Sequence, residues 1–388
     1  MGRRVFVVVL DAVGCGALPD ADSYGDAGTN TLAHVADAVG GLDLPSLTRL
    51  GLGNVTPIRG VPPVERPAIH GRLWPLGPGK DTVTGHWELM GASAPAAPTY
   101  PDGFPAEVIG SFSRASRRGV LCNAASEGLR AIEEHGAHHL RTGELIVYTS
   151  ADSVFQVAAH VDVVSPDELY EHCAAARSLL TGDHAVGRVI ARPFEGEPGA
   201  FRRTAGRRDF ALPPGGATYL DLLTDAGAAV YAVGKVAQVF AGRGIASEIP
   251  AHDNATAIAA IDALLAELDA GLVFANLVDT DQVYGHRKDT AGFHAALREV
   301  DAALARWLDA IGDGDLLVVT ADHGCDPAQA GTDHTREYVP LLAVHTGHDG
   351  RRVDSEMAAV GASALRWLTG REAELPGEPF VESEVVRT

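Results

Sequence analysis

Short, fully apolar segments alternate with amphipathic segments along most of the chain. The apolar segments are rich in β-branched residues and cover 5–10, 145–150, 229–234, 272–278, 316–321 and 340–345. Strands that are apolar on both faces and separated by helical patterns predict a parallel sheet covered by helices. The pattern therefore indicates an α/β protein with a mainly parallel sheet.

Two helices between these strands are predicted from apolar spacing. The first has Asn254 as N-cap, continues through ATAIAAIDALLAELDA and ends at Gly271, because Asn favours the N-cap and glycine favours the helix end. The second covers about 291–311, where apolar residues recur on one helical stripe. The stripe consists of Phe293, Leu297, Val300, Leu304, Trp307 and Leu308.

The middle of the chain differs in composition from both ends. It opens with SAPAAPTYPDGFP, closes with ALPPGGAT, and contains the basic run RPFEGEPGAFRRTAGRRD at 192–209. Clusters of proline and glycine are typical of domain boundaries. We therefore predict a core domain formed by 1–95 and 216–388, and an inserted α/β cap domain formed by 96–215.

Charge and composition exclude several functional classes. The 388-residue chain has a formal net charge of −20, which disfavours nucleic-acid binding. It has no apolar run of about 18 residues, and the run at 5–10 is shorter than a signal peptide requires. Its four cysteines are far apart and form no CxxC pair, which argues against a disulfide framework and a structural zinc site. We predict a cytoplasmic protein with no membrane or nucleic-acid partner.

Acidic residues and histidines follow three of the predicted strands. A single aspartate after a strand is more often a cap or turn residue, but three strands repeat the pattern. The carboxyl ends of parallel strands share one crevice, where carboxylates without a cation would be costly to bury. The residues concerned are Asp11, Asp279, Asp281, His286, Asp322, His323 and His334.

The ligand types limit the metal. Mixed carboxylates and imidazoles suit Mn²⁺, Zn²⁺ or Fe²⁺ better than Ca²⁺. Six ligands are too many for one tetrahedral zinc, so the pattern predicts two ions, an arrangement that supports phosphoryl displacement.

The segment GKDTVTGHWELMG (79–91) holds two threonines before a possible helix. A phosphoryl group on Thr84 would be favoured by backbone N–H groups and the helix dipole, and Gly85 would allow close approach of the backbone. Metal coordination is one way to activate such a hydroxyl. The alternative is that Thr84 only caps the helix.

These motifs together resemble the phosphopentomutases, a family of the alkaline phosphatase superfamily. GKDT…GHWE and DxxYGHR are more specific than the DHG shared across the superfamily. The resemblance implies an alkaline-phosphatase-like core fold. The matching segments occur in order along nearly the whole chain, at 10–34, 79–91, 148–160, 191–196, 276–289, 320–327 and 332–340.

The resemblance also implies roles for individual residues. It implies that Thr84 is the phosphorylated nucleophile, that Thr82 is a supporting loop residue, and that Asp281 rather than Asp279 is a ligand. The implied ligands of two Mn²⁺ ions are Asp11, Asp281, His286, Asp322, His323 and His334.

The implied reaction interconverts α-D-ribose 1-phosphate and D-ribose 5-phosphate, or the 2-deoxy sugars. It passes through a 1,5-bisphosphate and needs a pentose or hexose bisphosphate as phosphoryl activator. No obligate protein partner is evident.

Substrate contacts are implied mainly in the cap, which is a candidate to close the site against water. Asp152 would bind sugar hydroxyls, and Arg192, Arg207, Arg208 and Lys235 would hold the distal phosphate. A solvated basic face is the alternative for the arginines. The remaining histidines, including His138, His139, His345 and His348, are expected at the surface.

Two rival functions remain. A related metal-dependent phosphatase or a cofactor-independent phosphoglycerate mutase would share the strand-end ligands, although those mutases use a serine in a different motif. A binding protein that senses metal or phosphosugar without turnover would be expected to lack the nucleophile or a ligand, and neither is missing.

Overall fold

The computed structural model describes residues 2–93, 98–150 and 153–382. The chain divides into two compact units, Met1–Pro95 with Pro214–Thr388, and Ala96–Pro213. The second unit ends two residues before the predicted end of the insertion at 215.

Strands of both units are numbered along the chain. They are β1 (Arg4–Leu10), β2 (Ile69–Trp74), β3 (Val120–Ala125), β4 (Leu145–Thr149), β5 (Val154–His160), β6 (Arg188–Glu195), β7 (Arg202–Arg203), β8 (Arg208–Ala211), β9 (Val230–Val233), β10 (Ser247–Ile249), β11 (Gly271–Leu277), β12 (Asp315–Thr320), β13 (Val339–Val344) and β14 (Ser355–Glu356).

The helices are numbered in the same way. They are α1 (Thr31–Val39), α2 (Pro45–Leu50), α3 (Leu52–Val55), α4 (Thr82–Leu89), α5 (Ala106–Ser116), α6 (Gly128–Thr142), α7 (Pro166–Leu179), α8 (Tyr219–Asp225), α9 (Val236–Val239), α10 (Asn254–Glu267), α11 (Thr290–Ala310) and α12 (Ala359–Thr369).

The first unit is built on an eight-stranded sheet in the order β10-β9-β11-β1-β12-β13-β2-β14. The strands from β10 to β12 are parallel, whereas β13 is antiparallel to both β12 and β2. Helices α10 and α12 pack against the parallel part of the sheet. The predicted mainly parallel sheet is confirmed, and β1, β11 and β12 are its adjacent central strands.

The second unit has a mixed sheet in the order β3-β4-β5-β6-β7, with β8 also paired to β6. Alternate residues of β4 contribute to two apolar clusters, Leu145 and Val147 to one, and Ile146 and Tyr148 to the other. Because side chains alternate across a strand, the sheet is buried on both faces. The predicted strand at 145–150 belongs to this sheet and not to that of the first unit.

The sequence-based helix predictions are confirmed in type, but one set of ends is wrong. Helix α11 lies within one residue of the predicted 291–311. Helix α10 is capped by Asp253, whose side chain accepts from Thr256 N, and it ends at Glu267. The predicted cap Asn254 is thus the first helical residue, and Gly271 begins β11.

No described helix is both long enough and apolar enough to cross a bilayer.

Candidate metal centre and threonine loop

The ends of the three central strands bring three aspartates together. Leu10 pairs with Leu277 of β11, and Val9 pairs with Thr320 of β12, so the chain leaves all three strands at one edge. The aspartates that follow are Asp11, Asp281 and Asp322, which are at most 5% exposed.

One group of ligand atoms comes from Asp281, His286 and His334. Asp281 Oδ1 lies 3.3 Å from His286 Nε2 and 3.2 Å from His334 Nε2, and the two Nε2 atoms are 3.1 Å apart. His286 Nδ1 is 2.6 Å from Thr332 O, so this nitrogen carries the proton and Nε2 offers its lone pair. Such spacing suits atoms that share one ion at about 2.1 Å.

A second group is formed by Asp11, Asp281 and His323, with Asp322 beside it. His323 Nε2 lies 3.4 Å from Asp11 Oδ1 and 3.5 Å from Asp322 Oδ2. Its Nδ1 lies 3.1 Å from Gly324 O, so Nδ1 carries the proton and the lone pair of Nε2 can bind a metal. Asp281 therefore stands between the two groups.

Unpaired oxygens show that this donor set fits divalent cations. Asp11 Oδ1, Asp281 Oδ1 and Asp322 Oδ2 are buried and have no hydrogen-bond partner among the described residues. Buried carboxylate oxygens without partners are costly unless a cation neutralises them. The predicted ligands all lie in these two groups or beside them, whereas Asp279 instead bonds Asn254 N at the start of α10.

The electrostatics of the aspartates differ because their neighbours differ. Burial, followed by the charge of Asp322, raises the pKa of Asp11 well above its usual range. Burial also acts to raise the pKa of Asp281, but the close imidazoles of His334, His323 and His286 outweigh it and lower the pKa. Burial lowers the pKa of His323, which favours the neutral imidazole that binds metals.

The backbone after β1 is strained where it meets the centre. Ala12 has φ 65°, which is uncommon for a residue other than glycine. This conformation accompanies a hydrogen bond from Ala12 N to Asp322 Oδ1 at 3.1 Å. The strain is therefore coupled to the orientation of Asp322.

Helix α4 begins at Thr82, with Asp81 as its N-cap. Asp81 Oδ1 accepts from Val83 N and Thr84 N, and Thr84 Oγ1 lies 3.0 Å from Asp81 Oδ2 and 3.3 Å from Asp81 N. Thr84 thus closes a capping box. The alternative interpretation of Thr84 as the N-cap is wrong, because it occupies the third helical position.

Thr82, and not Thr84, points at the metal-ligand atoms. Its Oγ1 lies 3.2 Å from His323 Nε2. The sequence-based assignment treated Thr82 only as a supporting residue, since both threonines stand at the same helix start and nothing local distinguishes them.

The residues of the GHWE motif, Gly85–Glu88, hold α4 against the candidate metal centre and the neighbouring segments. A Cβ on Gly85 would lie 2.2 Å from Asp322 O, so only glycine permits this approach. His86 Nδ1 is 2.8 Å from Thr82 O and 3.3 Å from Asp322 Oδ2. Trp87 Nε1 donates to Val239 O, and Glu88 accepts from the N–H groups of the preceding loop. Gly85 and His86 thus place the start of the helix against Asp322, two residues after β12.

The predicted substrate residues fall in different places. Lys235 Nζ lies 3.5 Å from Asp11 Oδ2, within the first unit and at the metal centre. Asp152 lies outside the described residues. Arg208 lies over the rings of Tyr170 and Phe210, 5.2 and 5.3 Å from their centroids.

Arg192 and Arg207 lie near one another in the second unit. Burial, and then the charge of Arg207, lowers the pKa of Arg192, whose Nε donates to Gln156 Oε1. Arg207 forms two hydrogen bonds with Asp209 at 2.7 Å.

The sequence analysis missed Tyr148 and Arg203. Tyr148 is 1% exposed, and its Oη has no hydrogen-bond partner among the described residues. Burial raises the pKa of Tyr148, although the charges of Arg192, Arg203 and Arg207 act to lower it. Its place in an apolar strand gave no sign of this environment.

The expectation that the remaining histidines lie at the surface is wrong for His70, His86, His139 and His160, which are buried. His139 is fully buried; its Nδ1 lies 2.6 Å from Glu144 O and its Nε2 accepts from His160 N. The neighbouring His138 is exposed as expected, with 48% of its side chain accessible.

Comparison with solved structures shows the fold. The chain is similar to the PH0037 protein from Pyrococcus horikoshii, with a TM-score of 0.52, 14% identity, and coverage of 96% of this chain and 99% of that one. It is also similar to Leishmania mexicana phosphoglycerate mutase, with a TM-score of 0.51, 16% identity and 98% coverage of each chain.

Sequence comparison shows the family. The Metalloenzyme superfamily model matches residues 3–371. The chain is 53% identical over 373 residues to a phosphopentomutase of Anaeromyxobacter sp. (strain K), covering 95% of this chain and 96% of the relative. It is 52% identical over 390 residues to one of Anaeromyxobacter dehalogenans (strain 2CP-C), covering 99% of each. With its alkaline-phosphatase-like fold and candidate ligands at the strand ends, the chain belongs to the phosphopentomutase family of the metalloenzyme superfamily.

Proposed function

We propose that the protein interconverts α-D-ribose 1-phosphate and D-ribose 5-phosphate, and the 2-deoxy sugars, through a phosphothreonine and a 1,5-bisphosphate. Family membership makes it an isomerase of the phosphotransferase type. The observation that carries the mechanism is the Thr82 hydroxyl, 3.2 Å from His323 Nε2 beside the buried carboxylates. A cytoplasmic location stays a prediction.

Two divalent ions would be held by the two ligand groups. Asp281, His286 and His334 would hold one ion. Asp11 and His323 of the second group would hold the other together with the neighbouring Asp322, as the buried unpaired oxygens support. When bound, such ions polarise phosphoryl oxygens and stabilise an attacking or leaving alkoxide. Manganese is the family expectation, because these ligand types also suit zinc and iron.

Thr82 is our choice of phosphoryl acceptor instead of Thr84, on which the sequence analysis had placed this role. Thr82 is the first residue of α4, where the positive end of the helix dipole favours an anion. Its hydroxyl is directed toward His323, whereas that of Thr84 is engaged with Asp81. Thr84 would have to leave its capping box in order to react.

The chain's cations would hold the phosphate that is not being transferred. Arg192 pairs with no carboxylate among the described residues, and Arg207 and Arg203 add positive charge around it. Guanidinium groups bind phosphate bidentately, and the unpaired Tyr148 Oη could donate as well. Lys235, beside Asp11, would contribute charge at the metal centre.

In this proposal, phosphorylated Thr82 donates its phosphoryl group to the free hydroxyl of the phosphosugar. The resulting bisphosphate reorients and returns its other phosphate to the Thr82 hydroxyl. A bisphosphate activator would phosphorylate Thr82 before the first turnover. Water is a competing acceptor, and its success would make the protein a phosphatase.

The decisive experiment incubates the manganese-loaded protein with ribose 1-phosphate and a trace of glucose 1,6-bisphosphate. We expect ribose 5-phosphate without free phosphate, and loss of the product in Thr82→Val. Release of inorganic phosphate would show a phosphatase on the same scaffold. Absence of both products would contradict the proposed substrate and favour another phosphosugar or a binding protein.

A further inference from the structure

The loop that connects β2 to α4 is held by side chains from distant segments. The two carboxylate oxygens of Glu88 accept from Leu76 N at 2.9 Å and Gly77 N at 2.7 Å. Tyr24 Oη donates to Pro78 O at 2.9 Å. The loop backbone is therefore hydrogen-bonded at three consecutive residues before it reaches the threonines.

Arg336 makes the next contact along this loop. Its Nη1 donates to Gly79 O at 2.7 Å, three residues before Thr82. The side chain is only 6% exposed and pairs with Asp20 at 3.0 Å, and the guanidinium lies 5.1 Å from the centroid of the Tyr24 ring. Arg336 is thus fixed on several sides and belongs to neither ligand group.

A second connection runs in parallel through Asp26. Its Oδ2 accepts from Arg336 N at 2.8 Å and from Lys80 Nζ at 3.1 Å. Lys80 Nζ also lies 3.6 Å from Asp333 Oδ2. The segment 333–336, which carries the ligand His334, is therefore tied to the threonine loop both through Arg336 and through Lys80.

We infer that Arg336 is a positioning residue for phosphoryl transfer. It holds Gly79, and through it the start of α4, at a set distance from the ligand segment, so that the Thr82 hydroxyl stays aligned with His323. This inference rests on the proposed function. Because a misplacement of about 1 Å can reduce turnover about 100-fold, loss of Arg336 acts on kcat and leaves substrate binding intact.

The test compares Arg336→Met with Arg72→Met. Arg72 also lies over an aromatic ring, that of Tyr338, and donates to a carbonyl, Val55 O, but it does not bond to the loop. We expect kcat of Arg336→Met to fall about 100-fold with KM changed less than about twofold, and Arg72→Met to stay near wild type. A KM that rises as much as kcat falls, or an equal loss in Arg72→Met, would overturn the inference.

A readout without substrate separates this inference from the proposed function. In the manganese-loaded proteins, amide hydrogen exchange of 75–84 should be about tenfold faster in Arg336→Met than in wild type or Arg72→Met. Unchanged exchange would overturn the inference even if the enzyme is a mutase. If wild type fails on ribose 1-phosphate, the substrate proposal falls while the exchange result still decides the role of Arg336 in the loop.

A milder variant covers the case in which Arg336→Met does not fold. Asp20 has a side chain 48% exposed, and Asp20→Asn weakens the anchor of Arg336 while keeping the guanidinium. Its kcat and loop exchange should change in the same directions by a smaller factor. Normal kcat and normal exchange in Asp20→Asn, in the absence of a folded Arg336→Met, would count against the inference.

Discussion

At the scale of single residues, two of the candidate ligand histidines are oriented by their Nδ1 atoms. His286 and His323 each direct Nδ1 at a backbone carbonyl, which fixes the tautomer and aims Nε2 at the carboxylates. This is how proteins commonly orient imidazole ligands. The backbone therefore sets which atom is available for the ion.

The two threonines give a matched pair of variants. Thr82→Val should lower mutase turnover at least about 1000-fold, because it removes the proposed acceptor. Thr84→Val should keep most activity and cost about 1 kcal/mol of stability through loss of the capping box. Steady-state kinetics and urea unfolding measure both effects. Loss of turnover in Thr84→Val with an active Thr82→Val would assign the acceptor role to Thr84.

The arginines of the second unit give another pair. Arg192→Met should raise KM for ribose 5-phosphate at least about tenfold, since it removes the proposed bidentate phosphate ligand. Arg208→Met should change KM less than about twofold, because Arg208 stacks on Tyr170 and Phe210. Initial-rate measurements decide this, and equal KM increases would mean that both arginines bind substrate.

At the scale of elements, α4 positions Thr82 through its packing against Asp322. Gly85 permits close contact with Asp322, and His86 Nδ1 lies 3.3 Å from Asp322 Oδ2. The helix start and the segment that follows β12 are therefore packed closely together. A change at Gly85 would therefore move the proposed acceptor and a proposed metal ligand at the same time.

Gly85→Ala should thus weaken Mn²⁺ binding and turnover together. The added methyl would meet Asp322 O at 2.2 Å, and overpacking of this kind typically costs about 1–3 kcal/mol. Gly110→Ala in α5 is the control, since its nearest neighbour is the flexible end of Arg114 at 3.4 Å, and it should be neutral or slightly stabilising. Isothermal titration with Mn²⁺ would refute this expectation if Gly85→Ala bound the metal normally.

The buried His139 of α6 makes the second unit sensitive to acid. Burial lowers its pKa below the ordinary 6.5. Just below pH 6.5 this histidine is therefore protonated in the unfolded chain but still neutral in the folded chain. The contribution to stability is present above pH 6.5 and is lost as pH falls toward the lowered pKa, by at most about 1.4 kcal/mol per pH unit.

His139→Gln should therefore flatten the fall in unfolding free energy below pH 6.5, and His138→Gln should not. Urea unfolding followed by circular dichroism at several pH values tests this. An unchanged slope in His139→Gln would show that other groups dominate the acid response.

At the scale of the whole molecule, metal binding should stabilise one unit selectively. All six proposed ligands lie in the first unit, as do the four tryptophans, Trp74, Trp87, Trp307 and Trp367. A ligand that binds only the folded state at 100 times its Kd stabilises by about 2.7 kcal/mol. Chelation should therefore lower the unfolding midpoint seen by tryptophan fluorescence.

Circular dichroism follows both units and gives the control for chelation. Unfolding of the second unit, which has no tryptophan, is seen by circular dichroism and not by fluorescence. Its unfolding midpoint should be the same with and without EDTA. Identical midpoints by fluorescence with and without metal would contradict a metal centre built from these six ligands.

The sequence by itself determined the strands, the central sheet and the types of ligand. Apolar runs such as 5–10 and 272–278 must be buried wherever they lie, so their pattern is a local property. Aspartates that follow such strands must also meet at one sheet edge. The ends of α10 were misjudged because Asp253 and Asn254 are both good caps, and only the backbone conformation distinguishes them.

Tertiary structure alone decided which polar groups face one another. Thr82 and Thr84 stand at the same helix start, but where α4 packs against Asp322, one hydroxyl lies beside His323 and the other beside Asp81. His139 and His138 are neighbours in sequence, yet only the first faces the sheet and finds Glu144 and His160. Arg336 reaches Gly79 across 257 positions of the chain. Such long-range pairings depend on how elements pack, and no local pattern contains them.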